Sequence, residues 1–140
     1  MPQYQIGGHV EVLVEAPKWS FIKPDTEGGV DLVSPIPCPY NYGCLPGTIS
    51  GDGDPIDALI LGSSLPRGHR ARVEVRAVVH FVDNGDLDPK LVCSTAPLTA
   101  FDFARLTIFF ESYARLKGVV WTLRGDVRGR TFLDRIERHA

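Results

Sequence analysis

Three aspartates fall within six residues in the segment 52–57, which reads Asp-Gly-Asp-Pro-Ile-Asp. Asp52, Asp54 and Asp57 repel one another when ionised, so a compensating divalent cation is expected, and Mg²⁺ and Ca²⁺ both prefer oxygen ligands. An acidic loop explains this segment equally well on its own, because Asp, Gly and Pro all favour turns. An EF-hand fits less well, since Asp57 lies in an apolar stretch and no glutamate follows at the required spacing.

A second acidic cluster occupies 83–90 and reads Asp-Asn-Gly-Asp-Leu-Asp-Pro-Lys. Its Asn-Gly pair favours a tight hairpin turn, which accounts for those two residues but does not require Asp83, Asp86, Asp88 and Lys90. Because both clusters adjoin predicted strands, we expect them to meet at one rim of a barrel and to hold two or more cations. Two-metal sites suit phosphoryl chemistry because they hold the attacking water and stabilise charge on the leaving group.

Strands are predicted around both clusters. Apolar and polar residues alternate along 10–15 and 71–82, and an apolar run at 56–61 lies between turn-forming residues. The segments 90–94 and 119–124 are weaker strand candidates.

Helices are predicted in the last third of the chain. Apolar residues recur at helical spacing over 97–118, where Gly118 is a suitable stop, and a second helix is predicted from about 127 to 139, with Asp126 as its N-cap. These elements predict a mainly β fold with α: a five-stranded closed or partly open β-barrel (OB-like) with two packed helices.

Length and composition favour an ordinary globular protein. The chain has 140 residues, which predicts a single domain over 1–140, with 44% hydrophobic and 23% charged residues. A net charge of −2 argues against nucleic acid or a membrane as partner. We expect no signal peptide and no membrane span. Three cysteines without a Cys-x-x-Cys pair favour a reducing, cytoplasmic location.

Other polar candidates are weak signals when each is taken alone. Glu15, Lys23 and Asp25 lie at or beyond the end of the first predicted strand, where a solvated surface charge is the simpler explanation. Tyr42 in a predicted turn and Tyr113 on the apolar stripe of the helix are both explained by core packing.

Taken together, these segments resemble family I soluble inorganic pyrophosphatases. The signature-like segment 52–59 is joined, in the family's order, by Val-Glu-Ala-Pro at 14–17, Pro-Tyr-Asn-Tyr-Gly at 39–43, the cluster at 82–92 and Phe-Phe-Glu-Ser-Tyr at 109–113. The resemblance implies a five-stranded barrel with helices, a homo-oligomer that is usually a hexamer in bacteria, pyrophosphate as substrate, and several Mg²⁺ ions, with Mn²⁺ as an alternative.

The resemblance also implies a role for individual residues. Asp52, Asp57 and Asp88 would hold a first metal and Asp57 would bridge to a second. Asp83 and Asp88 would bind the metal that arrives with substrate. Glu15, and Asp25 in place of a glutamate, would support further metal. Asp54 would accept the proton of the nucleophilic water, with Tyr42 close by. Lys23, Lys90 and Tyr113 would contact phosphate oxygens.

The chain departs from the family pattern at several positions. Pro24 replaces a tyrosine, and the hairpin between Lys23 and Ser34 is shortened and lacks a phosphate-binding arginine. Ala114 stands where a lysine is expected. Arg115 and Lys117 are the nearby substitutes, but on a helix they are expected to face directions other than that of residue 114. Two positive phosphate ligands are therefore expected to be missing.

Three functions remain open at this point. The first is magnesium-dependent hydrolysis of pyrophosphate, with reduced activity because two positively charged side chains that bind phosphate are missing. The second is a non-catalytic, metal-dependent binding protein for phosphate ligands, although retention of Asp54 favours an enzyme. The third is hydrolysis of another phosphoanhydride, admitted by the shortened hairpin.

Overall fold

The computed structural model describes residues 3–20 and 37–138 in full, and the backbone alone of 22–24 and 30–32. This part of the chain is mainly sheet, with one helix. Its elements are β1 (His9–Ala16), β2 (Ile22–Pro24), β3 (Val30–Leu32), β4 (Asn41–Cys44), β5 (Asp57–Ile60), β6 (Arg70–Asp83), β7 (Asp86–Leu87), β8 (Lys90–Ser94), α1 (Ala100–Arg124) and β9 (Phe132–Arg138).

Five strands form a ring in the order β1, β4, β5, β8, β6 and back to β1. Each neighbouring pair is antiparallel except β5 and β8, which run parallel. Because β6 runs antiparallel to β8, the first residues of β5 and β8 and the last residues of β6 lie at one end of the ring. This end carries the two acidic clusters that the sequence predicts at a common rim.

The five-stranded arrangement agrees with the prediction, but one member differs. Asn41–Cys44, predicted as a turn, is a fully buried strand because it pairs with β1 on one side and β5 on the other. The predicted strand at 119–124 belongs instead to α1.

Two apolar clusters stabilise the ring. One contains strand residues without the helix, among them Val12, Val14, Ala58, Val75, Val78, Leu91 and Cys93. The other lies between the ring and α1, where Leu59, Val79, Phe81 and Val92 pack with Leu106, Phe109, Phe110 and Tyr113. The helix is therefore fastened to the same strands that end in the acidic clusters.

The helix is longer than its sequence predicts. Thr99 caps its start, since its hydroxyl accepts from the Asp102 N–H at 3.1 Å while the Asp102 carboxylate accepts from the Thr99 N–H at 2.8 Å. The expected stop at Gly118 is wrong. A glycine inside a helix costs only about 1 kcal/mol, so it does not end one by itself. The helix ends at Gly125, which takes the left-handed conformation with φ of 68°.

The predicted second helix is wrong, because Phe132–Arg138 is a strand paired with β6. The pairing skips Asp134: Leu133 lies opposite Phe81, and Ile136 lies opposite Val79. This bulge places Leu133 and Ile136 against the same apolar cluster although they are three residues apart. A strand with this bulge therefore has two apolar residues three positions apart on one face, which is the spacing typical of a helix. Among the described residues, no helix has both the length and the apolar character needed to cross a membrane.

Candidate active site

The deepest part of the site is an ammonium group between two carboxylates, which we call the Lys90 centre (Asp57, Asp88 and Lys90). Lys90 Nζ lies 2.7 Å from a carboxylate oxygen of Asp57 and 2.7 Å from one of Asp88. Asp57 begins β5 and Lys90 begins β8, and the parallel register pairs them directly. The Lys90 side chain is only 2% exposed, so this ion pair is withdrawn from water.

Burial and charge set the protonation of the Lys90 centre. Burial raises the pKa of the Asp88 carboxyl to about 6, and the Lys90 ammonium opposes that rise. Burial alone would lower the pKa of Lys90, but the Asp57 and Asp88 carboxylates outweigh it and hold that pKa well above its usual value. Asp52 further raises the pKa of Asp88. Lys90 is therefore a permanent cation among groups that repel one another.

Tyr42 borders the Lys90 centre from β4. Lys90 Nζ lies 5.8 Å from the centre of the Tyr42 ring. Burial, reinforced by Asp57, raises the pKa of Tyr42 well above its usual value, so the group remains a neutral hydroxyl near neutral pH.

A close approach of two strands positions Tyr42 and Glu15. A Cβ on Gly43 would lie 2.1 Å from the Leu13 carbonyl oxygen, so only glycine fits beside β1. The β1–β4 register shifts between Val14 and Ala16, which leaves Glu15 as the extra residue of a bulge opposite β4. Bulges of this kind redirect a side chain, and they are common beside functional sites.

The first acidic cluster is an exposed turn before β5. Gly53 has φ of 87°, and its N–H donates to the Ser50 carbonyl at 3.0 Å. The Asp52 carboxylate accepts from the Ser50 hydroxyl and, at 3.0 Å, from the Asp54 N–H. Asp52 therefore shapes the loop that carries Asp54, and both aspartates are exposed.

A second lysine lies beside the last residue of β6, in a group that we call the Lys117 centre (Asp83, Tyr113, Lys117 and Trp121). Lys117 Nζ lies 3.2 Å from Asp83 Oδ2 and 3.3 Å from the Tyr113 hydroxyl. Trp121 Nε1 donates to Asp83 Oδ1 at 2.7 Å. The two oxygens of one carboxylate are thus bound by donors from successive turns of α1.

Comparison with known proteins identifies the chain. A sequence model of inorganic pyrophosphatase matches residues 12–135.

The chain belongs to the inorganic pyrophosphatase family.

Individual relatives agree with this assignment. The inorganic pyrophosphatase of Synechocystis sp. is 27% identical, with 89% of this chain and 86% of that protein aligned. The inorganic pyrophosphatase of Agrobacterium fabrum is 31% identical over 77% of this chain and 72% of its own. The crystal structure of an inorganic pyrophosphatase from Neisseria gonorrhoeae matches with a TM-score of 0.72 and 26% identity, covering 94% of this chain and 83% of that one. The resemblance to this family is confirmed.

Within this pyrophosphatase fold, the structure shows where Lys117 lies on α1. The sequence predicts only that its direction differs from that of residue 114. Lys117 lies one helical turn beyond Tyr113 and contacts the Tyr113 hydroxyl. Trp121, another turn further, was not predicted as a site residue. The repeat of Tyr113, Lys117 and Trp121 at intervals of four is the signal, and it was hidden because the helix was expected to stop at Gly118.

Two asparagines in the predicted motifs have structural roles. Asn41 is fully buried: its side chain accepts from the N–H groups of Lys18 and Leu65 and donates to the carbonyls of Ile60 and Ser63. Asn84 has φ of 53°, and its side chain accepts from the Arg128 and Gly129 N–H groups and donates to the Asp126 carbonyl. The first asparagine secures the loops beside β4 and β5, and the second secures the segment between α1 and β9.

The type of donor in the Lys90 centre, though not its present arrangement, suits a divalent cation. Its donors are carboxylate oxygens, which Mg²⁺ and Mn²⁺ prefer. Asp88 Oδ1 is buried and has no hydrogen-bond partner among the described residues, a costly state that a cation would relieve. Among those residues, no three Asp, Glu, His or Cys side chains gather around one point, and an ammonium group lies between Asp57 and Asp88.

Two site predictions fall outside what the structure describes. Asp25 lies outside the described residues, and Lys23 is described by its backbone alone, which pairs with Asp31 across β2 and β3. Among the predicted site residues, the structure brings together side chains from separate parts of the chain: Tyr42, Asp57, Asp83, Asp88, Lys90 and Tyr113. Contacts within the two lysine centres connect them, and the Phe81 ring lies between Lys90 and Tyr113.

Proposed function

We propose that this protein hydrolyses inorganic pyrophosphate to two phosphates in a magnesium-dependent reaction, and that residues 1–140 form one inorganic pyrophosphatase domain. One observation carries the proposal. Asp57 and Asp88, from separate sequence motifs, share the buried Lys90 ammonium at the end of the ring, and one oxygen of Asp88 has no hydrogen-bond partner among the described residues. Membership of the inorganic pyrophosphatase family supports the choice of substrate.

The charge of the site explains why cations are needed. The two lysine centres contain three carboxylates, Asp57, Asp83 and Asp88, against two ammonium groups. Pyrophosphate is a polyanion and would be repelled by this balance. Bound Mg²⁺ would reverse the local charge and would lower the pKa of a coordinated water toward neutrality.

The cation-binding residues are assigned on the same reasoning. Carboxylates at the ring end and around it would hold the ions: Asp52, Asp57, Asp83, Asp88, Glu15 and Asp25. The bulge in β1 supports the place of Glu15 in this set, because it directs that residue out of the regular alternation of the strand.

The reaction itself requires one bond to form and one to break. The oxygen of a water molecule forms a bond to one phosphorus while the bridging P–O bond to the other phosphorus breaks. Asp54 accepts a proton from the attacking water, and its exposed position beside Asp52 allows water to reach it. The second phosphate departs with the electrons of the broken bond, and Lys23, Lys90 and Tyr113 bind the phosphate oxygens as negative charge gathers there.

Tyr42 has a different role from Asp54. Its raised pKa keeps the hydroxyl protonated, so it donates a hydrogen bond near the attacking water rather than accepting a proton. Its burial beside the Lys90 centre keeps that donor in place.

The test is phosphate release from pyrophosphate with Mg²⁺, with Mn²⁺ and with a chelator. We expect release only with the divalent cation, and a loss of about 100-fold or more in kcat for Asp54→Asn, since general-base catalysis contributes about 10²–10⁴-fold. Asp134→Asn is the matched control, because Asp134 is an exposed residue of β9 outside the proposed site.

The other outcomes separate the competing functions. Release from nucleotides or polyphosphate but not from pyrophosphate would replace the substrate proposed here. Cation-dependent binding of pyrophosphate without any release would indicate a binding protein. Equal activity of Asp54→Asn and the wild type would remove Asp54 from its role as base.

We also propose that the protein is a cytoplasmic homo-oligomer, with a hexamer expected from the family. Exposed apolar side chains along α1, such as Phe101, Ile108 and Leu123, support an association surface. Light scattering after gel filtration tests this, because the chain has a mass of 15.4 kDa and a monomer is readily distinguished.

A further inference from the structure

Lys117 occupies an unusual position for a helix lysine. Its side chain is 15% exposed, and the Asp83 side chain that it contacts is 16% exposed. Its ammonium lies 5.5 Å from the Tyr113 ring centre and 6.0 Å from that of Trp121. Exposed salt bridges on helices are loosely held and weak, whereas Lys117 lies largely out of water beside two aromatic rings and a carboxylate.

The contacts of Asp83 would allow Lys117 to be released. Trp121 Nε1 holds Asp83 Oδ1, and Lys117 holds Oδ2. If the ammonium moved to another anion, the tryptophan would still fix the carboxylate, and Oδ2 would be free for a cation. The exchange would therefore leave the Asp83 side chain held by one strong hydrogen bond.

The Lys117 centre and the Lys90 centre adjoin the same aromatic ring. Phe81 joins the two centres, because its ring lies 5.2 Å from the Tyr113 ring and 5.9 Å from Lys90 Nζ. The two ammonium groups therefore approach one end of the ring from different elements, a strand and a helix. A polyanion between them would relieve their mutual repulsion.

We infer that Lys117 binds a phosphate group of the substrate, and that it supplies from one turn further along α1 the positive charge that Ala114 cannot supply. The inference rests on the proposed function, because it assigns a further residue to that site. Lys117 leaves Oδ2 of Asp83 and donates to a phosphate oxygen when substrate and cation are bound.

The test compares Lys117→Met, Lys117→Arg and Arg115→Met. Arg115 is the matched control because it is an exposed cation on the same helix. Binding of methylenediphosphonate, an analogue whose P–C–P link resists hydrolysis, is measured by calorimetry at saturating Mg²⁺, alongside KM and kcat for pyrophosphate. Circular dichroism verifies folding, and Lys117→Gln, which keeps a donor without the charge, replaces Lys117→Met if that variant does not fold.

We expect Lys117→Met to weaken binding of the analogue and to raise KM by about 10-fold to 100-fold, the range for a lost hydrogen bond to a charged group. Lys117→Arg should restore most of the binding, and Arg115→Met should match the wild type. Mg²⁺ binding without the analogue should be unchanged or tighter in Lys117→Met, because Lys117 competes with the cation for Asp83.

A purely structural role gives the opposite pattern. If Lys117→Met binds the analogue as tightly as the wild type while Mg²⁺ affinity or thermal stability falls, the inference is overturned. Failure of the proposed function is recognised separately: the wild type would then release no phosphate from pyrophosphate, while analogue binding that depends on Lys117 would still support a phosphate-binding role.

Discussion

The two lysine centres differ in how the chain holds them. The Lys90 centre is built on strands: Asp57 and Lys90 are register partners on parallel strands, and the ammonium is 2% exposed between two carboxylates. The Lys117 centre joins a helix to the end of β6, and its lysine contacts one carboxylate and one hydroxyl at 15% exposure. Both place an ammonium against residues proposed to bind cations.

This difference predicts which centre is needed for folding and which can rearrange when substrate binds. Removing a partner from a buried charge pair leaves an uncompensated charge and is strongly destabilising. Loss of Lys117 should lower the free energy of unfolding much less, because Trp121 still donates a hydrogen bond to Asp83. We therefore expect the Lys90 centre to be part of the folded core, and the Lys117 centre to be the part of the site that rearranges.

The largest effect is expected from Lys90→Met. Without divalent cations, we expect the free energy of unfolding to fall by about 3–5 kcal/mol, the usual cost of breaking a buried ion pair. Because burial already raises the pKa of Asp88 to about 6, loss of the ammonium should raise that pKa further. A pKa raised in the folded state contributes stability that is lost as pH rises through it, so the destabilisation should be greater at about pH 8 than at about pH 5.5.

Chemical denaturation at both pH values measures this, with Lys18→Met as the control. Lys18 is a surface lysine whose ammonium donates a hydrogen bond of 3.2 Å to the Gly62 carbonyl. Its replacement should cost no more than about 1 kcal/mol. Equal unfolding free energies for Lys90→Met and Lys18→Met would show that the Lys90 centre is not part of the folded core. Added Mg²⁺ should recover part of the stability lost by Lys90→Met.

The residues of the Lys90 centre were largely predictable from sequence. The alternation along 71–82 indicates where β6 ends, and the turn signals at 83–90 and 52–57 place aspartates next to strand ends. Strand pairing then brings these ends together, although the pairing of β5 with β8 is a long-range fact that no local pattern contains. Sequence spacing therefore identified Asp57, Asp88 and Lys90 as candidates. It did not indicate that the Lys90 ammonium lies between the two carboxylates.

The Lys117 centre was not predictable in the same way. A glycine at 118 was interpreted as a helix stop, yet its propensity cost is small beside the packing of α1 on the ring. Once the helix continues, Tyr113, Lys117 and Trp121 share one face. The same competition between local pattern and tertiary pairing explains β9, where a bulge at Asp134 gives a strand the apolar spacing of a helix.

A second prediction concerns Asp57→Asn, which should lower kcat by about 100-fold or more, or about 2.7 kcal/mol in the activation free energy. The amide cannot supply the negative charge proposed to hold a cation, but its oxygen can still accept from Lys90, and Asp88 remains paired. Folding should therefore persist while activity is lost. Asp86→Asn on the neighbouring hairpin is the matched control and should keep wild-type turnover. Wild-type activity in Asp57→Asn would contradict the proposed place of Asp57 between cations.

The smallest effect is expected from Trp121→Phe, which tests the Lys117 centre alone. The substitution keeps an aromatic ring beside Lys117 but removes the N–H that donates to Asp83 Oδ1 at 2.7 Å, so the unfolding free energy should fall by about 1–2 kcal/mol. KM for pyrophosphate should rise only a fewfold, because Lys117 itself remains. Trp19→Phe is the control, since Trp19 is 58% exposed. Because the chain has two tryptophans, this variant also leaves Trp121 as the only one, and its fluorescence can report binding of Mg²⁺ and pyrophosphate. If Trp121→Phe destabilised the protein as much as Lys90→Met, both centres would belong to the folded core, and the release of Lys117 from Asp83 would have no structural basis.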